Sequence, residues 1–101
     1  MPQIQITNEE KNIVQNILQK YVPDCEVWAF GSRATNSAKK YSDLDLAIIG
    51  NQPISAQKMA DLNNAFSESD LIWKVDIVDW CNTADWFKKI IAKDKIIFQA
   101  A

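Results

Sequence analysis

Three aspartates, Asp43, Asp45 and Asp76, are the residues of this sequence best suited to chemistry. Asp43 and Asp45 lie one residue apart in a run, 43–49, that the pattern predicts as a strand, so both carboxylates share one face and Leu44 points to the other. At about 5 Å and an effective dielectric near 20, two such charges repel by about 3 kcal/mol. A fold tolerates this repulsion when a cation joins the carboxylates, when one of them is protonated, or when solvent screens them.

Asp76 lies in the middle of a later apolar run, 73–80, where a solvated surface charge is unexpected. If this strand lies beside the strand of Asp43 and Asp45, the three carboxylates converge. Oxygen ligands without histidine or cysteine favour Mg²⁺ or Mn²⁺, which keep several waters and bind phosphate oxygens at their remaining positions. The three residues therefore predict a two-metal site for phosphoryl transfer, from which we exclude Asp79 because it faces the other side of its strand.

A Gly-Ser pair, Gly31 and Ser32, ends the preceding apolar run and is the second feature with functional potential. Ser32 can cap a short helix, whose first backbone N–H groups carry the positive end of the helix dipole and favour a phosphate. Glycine permits close approach of a ligand, and the Ser32 hydroxyl can donate one more hydrogen bond. The basic residues that could add phosphate contacts are Arg33, Lys39, Lys40 and Lys74.

Each of these features alone also has an ordinary structural explanation. A Gly-Ser turn is more often a plain loop than a phosphate site, and an Asp-x-Asp pair is usually a surface or strand-entry feature. A mid-strand aspartate can be satisfied by a nearby arginine or lysine. The combination is more specific than its parts, because order, spacing and strand placement all fit one mechanism.

The hydrophobic pattern predicts the elements that position these residues. The predicted helices cover about residues 8–22, 33–38, 56–66 and 84–93, and the predicted strands cover 26–30, 43–49 and 73–80. Thr7, Ser55 and Thr83 are the expected N-caps, and Glu10 completes a capping box with Thr7. Residues 96–98 form either an edge strand or a docked tail. We therefore expect one α/β (α+β) domain, residues 1–101, with a small mixed sheet and helices packed on it.

Composition limits the possible functions. The net charge of −2 and pI near 4.9 disfavour direct binding of long nucleic acid, which needs clustered lysine and arginine. The chain has no histidine, which excludes Ser-His-Asp and Cys-His catalysis. Cys25 and Cys81 lie too far apart in sequence to suggest a zinc site or a disulfide framework. With no apolar run long enough to cross a bilayer and no recognisable signal peptide, we expect a cytoplasmic protein with no membrane partner.

The order Gly31-Ser32, ten intervening residues, Asp43-Leu44-Asp45 and a later strand with Asp76 resembles the minimal nucleotidyltransferases of the DNA polymerase β superfamily. The resemblance covers nearly the whole chain and implies the polymerase β-like nucleotidyltransferase core. It implies that Asp43 and Asp45 bind two Mg²⁺ ions, and that Asp76 completes the metal site and helps to activate the attacking hydroxyl. It also implies that Gly31 and Ser32 hold the nucleoside triphosphate. We add Arg33 to this binding site because it is a basic residue next to Ser32 that could contact a phosphate.

Proteins of this kind are similar to the antitoxin halves of two-gene toxin–antitoxin modules, whose partner is an all-helical HEPN-domain protein. Members of that group transfer AMP from ATP to a tyrosine of the HEPN ribonuclease toxin. The resemblance thus implies a Mg²⁺-dependent nucleotidyltransferase that uses ATP or another nucleoside triphosphate and acts with a HEPN partner. A non-catalytic, nucleotide-binding antitoxin that neutralises its partner by binding is the main alternative. Transfer to a small molecule such as an antibiotic is disfavoured, because no substrate-binding domain is evident.

The aromatic residues leave the assembly state open. Trp28 and Trp73 are expected in the core, whereas Trp80, Trp86 and Phe87 either complete the core or face a partner. These side chains are compatible with a homodimer as well as with a complex with another protein.

Overall fold

The computed structural model describes residues 4–100 and contains three helices and a four-stranded sheet. The helices are α1 (Asn8–Tyr21), α2 (Ala56–Ser67) and α3 (Asp85–Asp94), and the strands are β1 (Glu26–Phe30), β2 (Leu44–Ile49), β3 (Val75–Asp79) and β4 (Ile96–Gln99). The strand order is β3-β2-β1-β4, with β2 and β3 parallel and the other pairs antiparallel. This mixed sheet confirms the predicted α/β architecture, and β4 shows that residues 96–98 form an edge strand.

The first two helices begin where their capping residues predict. The Thr7 hydroxyl accepts a hydrogen bond from the Glu10 N–H (3.1 Å), and the Glu10 carboxylate accepts one from the Thr7 N–H (2.9 Å). This capping box orients α1 so that Val14 and Leu18 are completely buried. Ser55 caps α2 in a similar way, because its hydroxyl accepts a first-turn N–H at 3.1 Å.

The third helix begins without the predicted cap. Ala84 is the N-cap residue and contributes no side-chain hydrogen bond, whereas the Thr83 hydroxyl donates to the Asp79 carbonyl (2.7 Å). The reason is the short 3₁₀ helix Trp80–Asn82, which follows β3 directly and turns the chain back so that Thr83 lies over the end of that strand. The prediction of Thr83 as the N-cap was therefore wrong.

The predicted short helix over 33–38 is a single turn. The Thr35 N–H donates to the Gly31 carbonyl (3.1 Å), and the Ser37 N–H donates to the Ser32 carbonyl (2.9 Å). Asn36 has a positive φ of 59°. A left-handed residue followed by a hydrogen bond from the next N–H to the carbonyl five residues earlier is the Schellman motif, which ends helices. Here it ends the helix after its first turn.

The larger core lies on the sheet face covered by α1 and α2. Alternate residues of β2, Leu44, Leu46 and Ile48, point into it and are almost completely buried. Trp73 also packs there, as predicted, with 6% of its surface exposed. Because these positions alternate along the strand, the residues between them, including Asp45, lie on the other face.

The second face carries a smaller aromatic core beneath α3. Phe30 and Phe87 meet edge to face with ring centroids 5.8 Å apart, and Trp28 and Trp80 do so at 5.0 Å. Trp86 lies outside this cluster with 69% of its surface exposed. Trp28, Trp80 and Phe87 thus help to complete the core, and Trp86 faces outward.

Two further findings concern the cysteines and membrane association. Cys25 and Cys81 are both free thiols and partly buried. None of the helices found between residues 4 and 100 is long and apolar enough to span a bilayer.

Candidate active site

The parallel pairing of β2 and β3 brings the acidic residues together. Asp45 is directly opposite Asp76 in the register, and neighbouring strands lie about 4.8 Å apart. Asp43 immediately precedes β2 and is exposed. The predicted adjacency of the two strands is therefore confirmed. The expectation that Asp76 would be shielded from water is wrong, because β3 is an edge strand and leaves this side chain exposed.

Asp45 is the most perturbed carboxyl of this cluster. Partial burial, together with the charges of Asp76 and Asp43, raises the pKa of Asp45 to about 6. Within residues 4–100 its side chain makes no hydrogen bond that would favour the charged form. The chain thus holds a carboxylate in a position that an added positive charge would stabilise.

Gly31 closes the site on the side of β1. The register places Phe30, the last residue of β1, opposite Asp45, so Gly31 begins its turn directly beside the acidic cluster. Gly31 has a φ of +74°, and a Cβ atom there would overlap the Asp45 Oδ2 and lie 3.1 Å from its Cγ. Glycine is required at this position both for its backbone conformation and for the space that the carboxylate occupies.

The donor set suits a hard divalent cation, although the carboxylates are not gathered into a closed metal cage. No group of three histidine, cysteine, aspartate or glutamate residues in the part of the chain that the structure describes is close enough to enclose an ion. The donors at the site are carboxylate oxygens, and burial together with their mutual repulsion raises the pKa of Asp45. Mg²⁺ matches this arrangement because it keeps several waters and needs few protein ligands.

Ser32 has a hydroxyl that is available for a ligand. Its main-chain carbonyl accepts the Ser37 N–H, whereas its side chain is partly exposed and forms no hydrogen bond among the described residues. The hydroxyl therefore lies in the turn that follows Gly31, with its donor unused.

Arg33 has a different position from the one predicted. Its side chain is buried, with 5% exposed, and four of its five N–H donors are used by main-chain carbonyls. Nε donates to Ser42 (2.9 Å), Nη1 to Gln5 (2.9 Å), and Nη2 to Lys39 (3.4 Å) and Lys40 (3.1 Å). We therefore correct the assignment of the guanidinium as a phosphate contact, because it binds the interior of the loop instead.

A second layer of residues supports Arg33 and was not found from the sequence. The guanidinium carbon lies 4.5 Å from the centre of the Trp73 ring, and the Trp73 Nε1 donates to the Glu10 carboxylate (3.0 Å). Gln5 pairs with the loop through its main-chain N–H, which donates to the Arg33 carbonyl, and through its side chain, which bonds to Ala38. Nothing in the local sequence marks these residues, since they are distant along the chain.

The other charged candidates separate into two groups. Lys39, Lys40 and Lys74 have exposed side chains. Asp79 has a structural role, because its carboxylate accepts hydrogen bonds from the Ile54 N–H (2.9 Å), the Asn82 side chain and the Cys81 N–H. These contacts agree with its exclusion from the predicted ligand set.

Comparison with known families shows which family the chain belongs to. The sequence profile described as "Polymerase beta, Nucleotidyltransferase" matches residues 10–101. The chain belongs to this family. A relative from Haemophilus influenzae, named as the probable protein adenylyltransferase MntA, is 53% identical over 97 residues, which cover 96% of this chain and 85% of the relative. The expected resemblance to minimal nucleotidyltransferases and the prediction of a nucleotidyltransferase are thus confirmed.

Solved structures share the fold of this nucleotidyltransferase at low sequence identity. One is a toxin–antitoxin complex with AMP-PNP, which has a TM-score of 0.77 and 18% identity over 90% of this chain and 73% of that one. Another is a tri-AMPylated Shewanella oneidensis HEPN toxin in complex with an MNT antitoxin, with a TM-score of 0.71 and 16% identity over 95% and 74% of the two chains. At this identity the similarity establishes the fold.

Proposed function

We propose that this nucleotidyltransferase transfers AMP from ATP to a hydroxyl group, a tyrosine of a HEPN-domain partner, with Mg²⁺ at the carboxylates. The name of the H. influenzae relative and the partners in the structurally similar complexes support this choice of reaction and acceptor. The single observation that carries the proposal is the juxtaposition of Asp45 with Asp76 and with the Gly31 turn.

The proposed roles follow from where each group lies. Asp43 and Asp45 are the ligands proposed for two Mg²⁺ ions, and Asp76 completes the set from the neighbouring strand. The ions, when bound, supply positive charge that offsets the charge of the phosphates. Gly31 leaves room for the triphosphate to approach the backbone, and Ser32 offers its unused hydroxyl as a donor to a phosphate oxygen.

The reaction is an in-line displacement at the α-phosphorus. The acceptor oxygen forms a bond to the α-phosphorus, the bond between that phosphorus and the bridging oxygen breaks, and pyrophosphate leaves. The acceptor proton passes to the carboxylate of Asp76, which is exposed and therefore reachable by a hydroxyl from solvent or from a partner. The protein contributes mainly by holding the reacting groups in position.

The test is transfer to the co-purified HEPN partner, measured as its gain in mass after incubation with Mg²⁺ and each nucleoside triphosphate. We expect the mass of one or more adenylyl groups with ATP, and its loss in the Asp43→Asn/Asp45→Asn double variant, which keeps the fold. The exposed Asp70, replaced in the same way, is the matched control and should retain transfer. Undiminished transfer by the double variant would contradict the site. Tight binding of the partner without any modification would favour the non-catalytic antitoxin.

A further inference from the structure

A groove of about 810 Å³ lies between α2 and the outer edge of β3. One wall is formed by side chains of α2, among them Met59, Asn63 and Ser67, and the other by Trp73 to Ile77. Asp76 is one of the lining residues. The groove therefore adjoins the proposed active site.

The main chain of β3 is open along this groove. The Leu44 N–H donates to the Lys74 carbonyl (2.9 Å), which fixes the phase of the parallel ladder between β2 and β3. In that ladder Asp76 directs its N–H and carbonyl towards β2, and Val75 and Ile77 direct theirs away from it. β3 is the last strand of the sheet, and no main-chain bond to those outward groups is found within residues 4–100.

Unpaired N–H and carbonyl groups at alternate residues are what an extended polypeptide satisfies when it adds to a sheet edge. A fifth strand beside β3 would direct alternate side chains into the groove below α2 and the others to the opposite face, beside Asp76. The groove suits such side chains, since it combines apolar groups with the exposed amides of Asn63 and Asn64. Lys74 is its only cationic lining residue among those the structure describes, which disfavours a triphosphate there.

We propose that the edge of β3 binds the acceptor segment of the protein substrate as an added strand, with the acceptor hydroxyl on the face of Asp76. This inference rests on the proposed function and specifies how its acceptor is held. The five residues of β3 extend over about 16 Å, enough to fix a short segment on either side of the acceptor. The triphosphate remains at the Gly31 turn, across β2 from this edge.

The first experiment fills the groove and follows transfer to the partner. Asn63→Trp places a large side chain in the groove, and Asn16→Trp makes the same exchange at an exposed position of α1 outside the groove. We expect Asn63→Trp to raise the KM for the partner about tenfold or more, equivalent to about 1.4 kcal/mol of lost binding, with an unchanged KM for ATP. Asn16→Trp should leave both values unchanged. An unchanged KM for the partner, or an effect on the KM for ATP alone, would overturn the inference.

The second experiment does not depend on catalysis. Amide hydrogen exchange in the full chain, with and without the partner, reports on the outward N–H groups of Val75 and Ile77. Both should exchange more slowly in the complex, because an added strand would accept their hydrogen bonds. Protection without any AMP transfer would refute the proposed function and leave the docking edge intact. Transfer with unprotected amides and no effect of Asn63→Trp would refute the docking edge alone.

Discussion

Replacing Asp45 by asparagine should stabilise the metal-free protein at neutral pH. The Asp45 carboxyl is held partly out of water beside Asp76 and Asp43, which raises its pKa to about 6 from an ordinary value of about 3.9. Between about pH 4 and pH 6 the folded protein retains a proton that the unfolded chain has released. The free energy of unfolding therefore falls as the pH rises through this window, and it stays reduced above pH 6.

The magnitude follows from the shift in pKa. A shift of about 2 units corresponds to about 3 kcal/mol if the carboxylate were fully desolvated. Because this side chain is only partly buried, solvent screens the repulsion, and we reduce the expected effect to roughly 1–2 kcal/mol. For a domain of this size, that difference corresponds to a rise in Tm on the order of 5–10 °C. Asparagine fits the site beside Gly31 without a larger volume, so no clash offsets the gain.

Thermal unfolding of the wild type and of Asp45→Asn in EDTA, at pH 4.5 and pH 7.5, measures the effect. We expect a clear gain in Tm for the variant at pH 7.5 and a much smaller one at pH 4.5, where Asp45 is protonated in the folded protein. Added MgCl₂ should raise the Tm of the wild type more than that of the variant, because binding to the folded state stabilises it. Asp70→Asn, an exchange at an exposed loop residue, is the control for removing one negative charge.

Two results would refute this reasoning. If Asp45→Asn lowered the Tm at pH 7.5 in EDTA, the carboxylate would be stabilised by contacts that the electrostatic argument omits. If the gain were equal at both pH values, or equal to that of Asp70→Asn, it would reflect net charge or side-chain packing instead of the raised pKa of Asp45.

Three other substitutions test separate parts of the structure. Gly31→Ala should reduce AMP transfer on the order of 100-fold in a chain that still folds, because the new Cβ displaces the Asp45 carboxylate, and single-turnover assays of transfer would measure this. Arg33→Met should lower the free energy of unfolding by about 2–3 kcal/mol in urea titrations, because buried carbonyls lose their donors. Arg33→Lys should lower it by a smaller amount, because lysine keeps the charge but not the planar set of donors. Thr7→Ala should cost about 1 kcal/mol in the same titrations, because the capping box with Glu10 is lost.

Each of these expectations has an outcome that would contradict it. Wild-type transfer rates for Gly31→Ala would mean that the carboxylate position is not needed for the reaction. Complete rescue by Arg33→Lys would mean that a single positive charge, and not the planar set of donors, holds the loop. An unchanged stability of Thr7→Ala would mean that solvent satisfies the first turn of α1 as well as the cap does.

Local patterns were sufficient to predict most of the acidic cluster. Alternation along one strand places Asp43 and Asp45 on the same face, and this needs no knowledge of distant contacts. The position of Asp76 opposite Asp45 required one further assumption, that β3 lies beside β2, and the parallel register bears this out. Whether a strand lies at the edge or in the interior depends on the whole sheet, and for this reason the exposure of Asp76 was predicted wrongly.

Two errors, at Arg33 and at Thr83, occurred where a tertiary contact and not the local pattern determines what the side chain binds. The polar segment around Arg33 predicts an exposed cation. The guanidinium instead donates to the carbonyl of Gln5, 28 positions earlier, and lies over the ring of Trp73, 40 positions later. The Thr83 hydroxyl has the correct chemistry for a cap and is taken instead by the Asp79 carbonyl. Gln5 and Trp73 are too distant from Arg33 in sequence to be found from periodicity or capping rules. Asp79 lies only four positions before Thr83, and the capping rule fails there because the 3₁₀ helix between them directs the hydroxyl to the Asp79 carbonyl.

The fold also gives a physical reason for the ten-residue spacing between Ser32 and Asp43. The antiparallel pairing places Phe30 opposite Asp45, so the loop between β1 and β2 must return to the point where it began. A loop with both ends fixed encloses main-chain carbonyls that need donors, and Arg33 supplies them from inside the loop. Gly31 at one end and Asp45 at the other are then held in contact by the sheet and by the loop together. The geometry of the Gly31 turn and the carboxylates in this chain is therefore a property of the whole hairpin, in which the buried arginine has a structural role that its position in the sequence does not reveal.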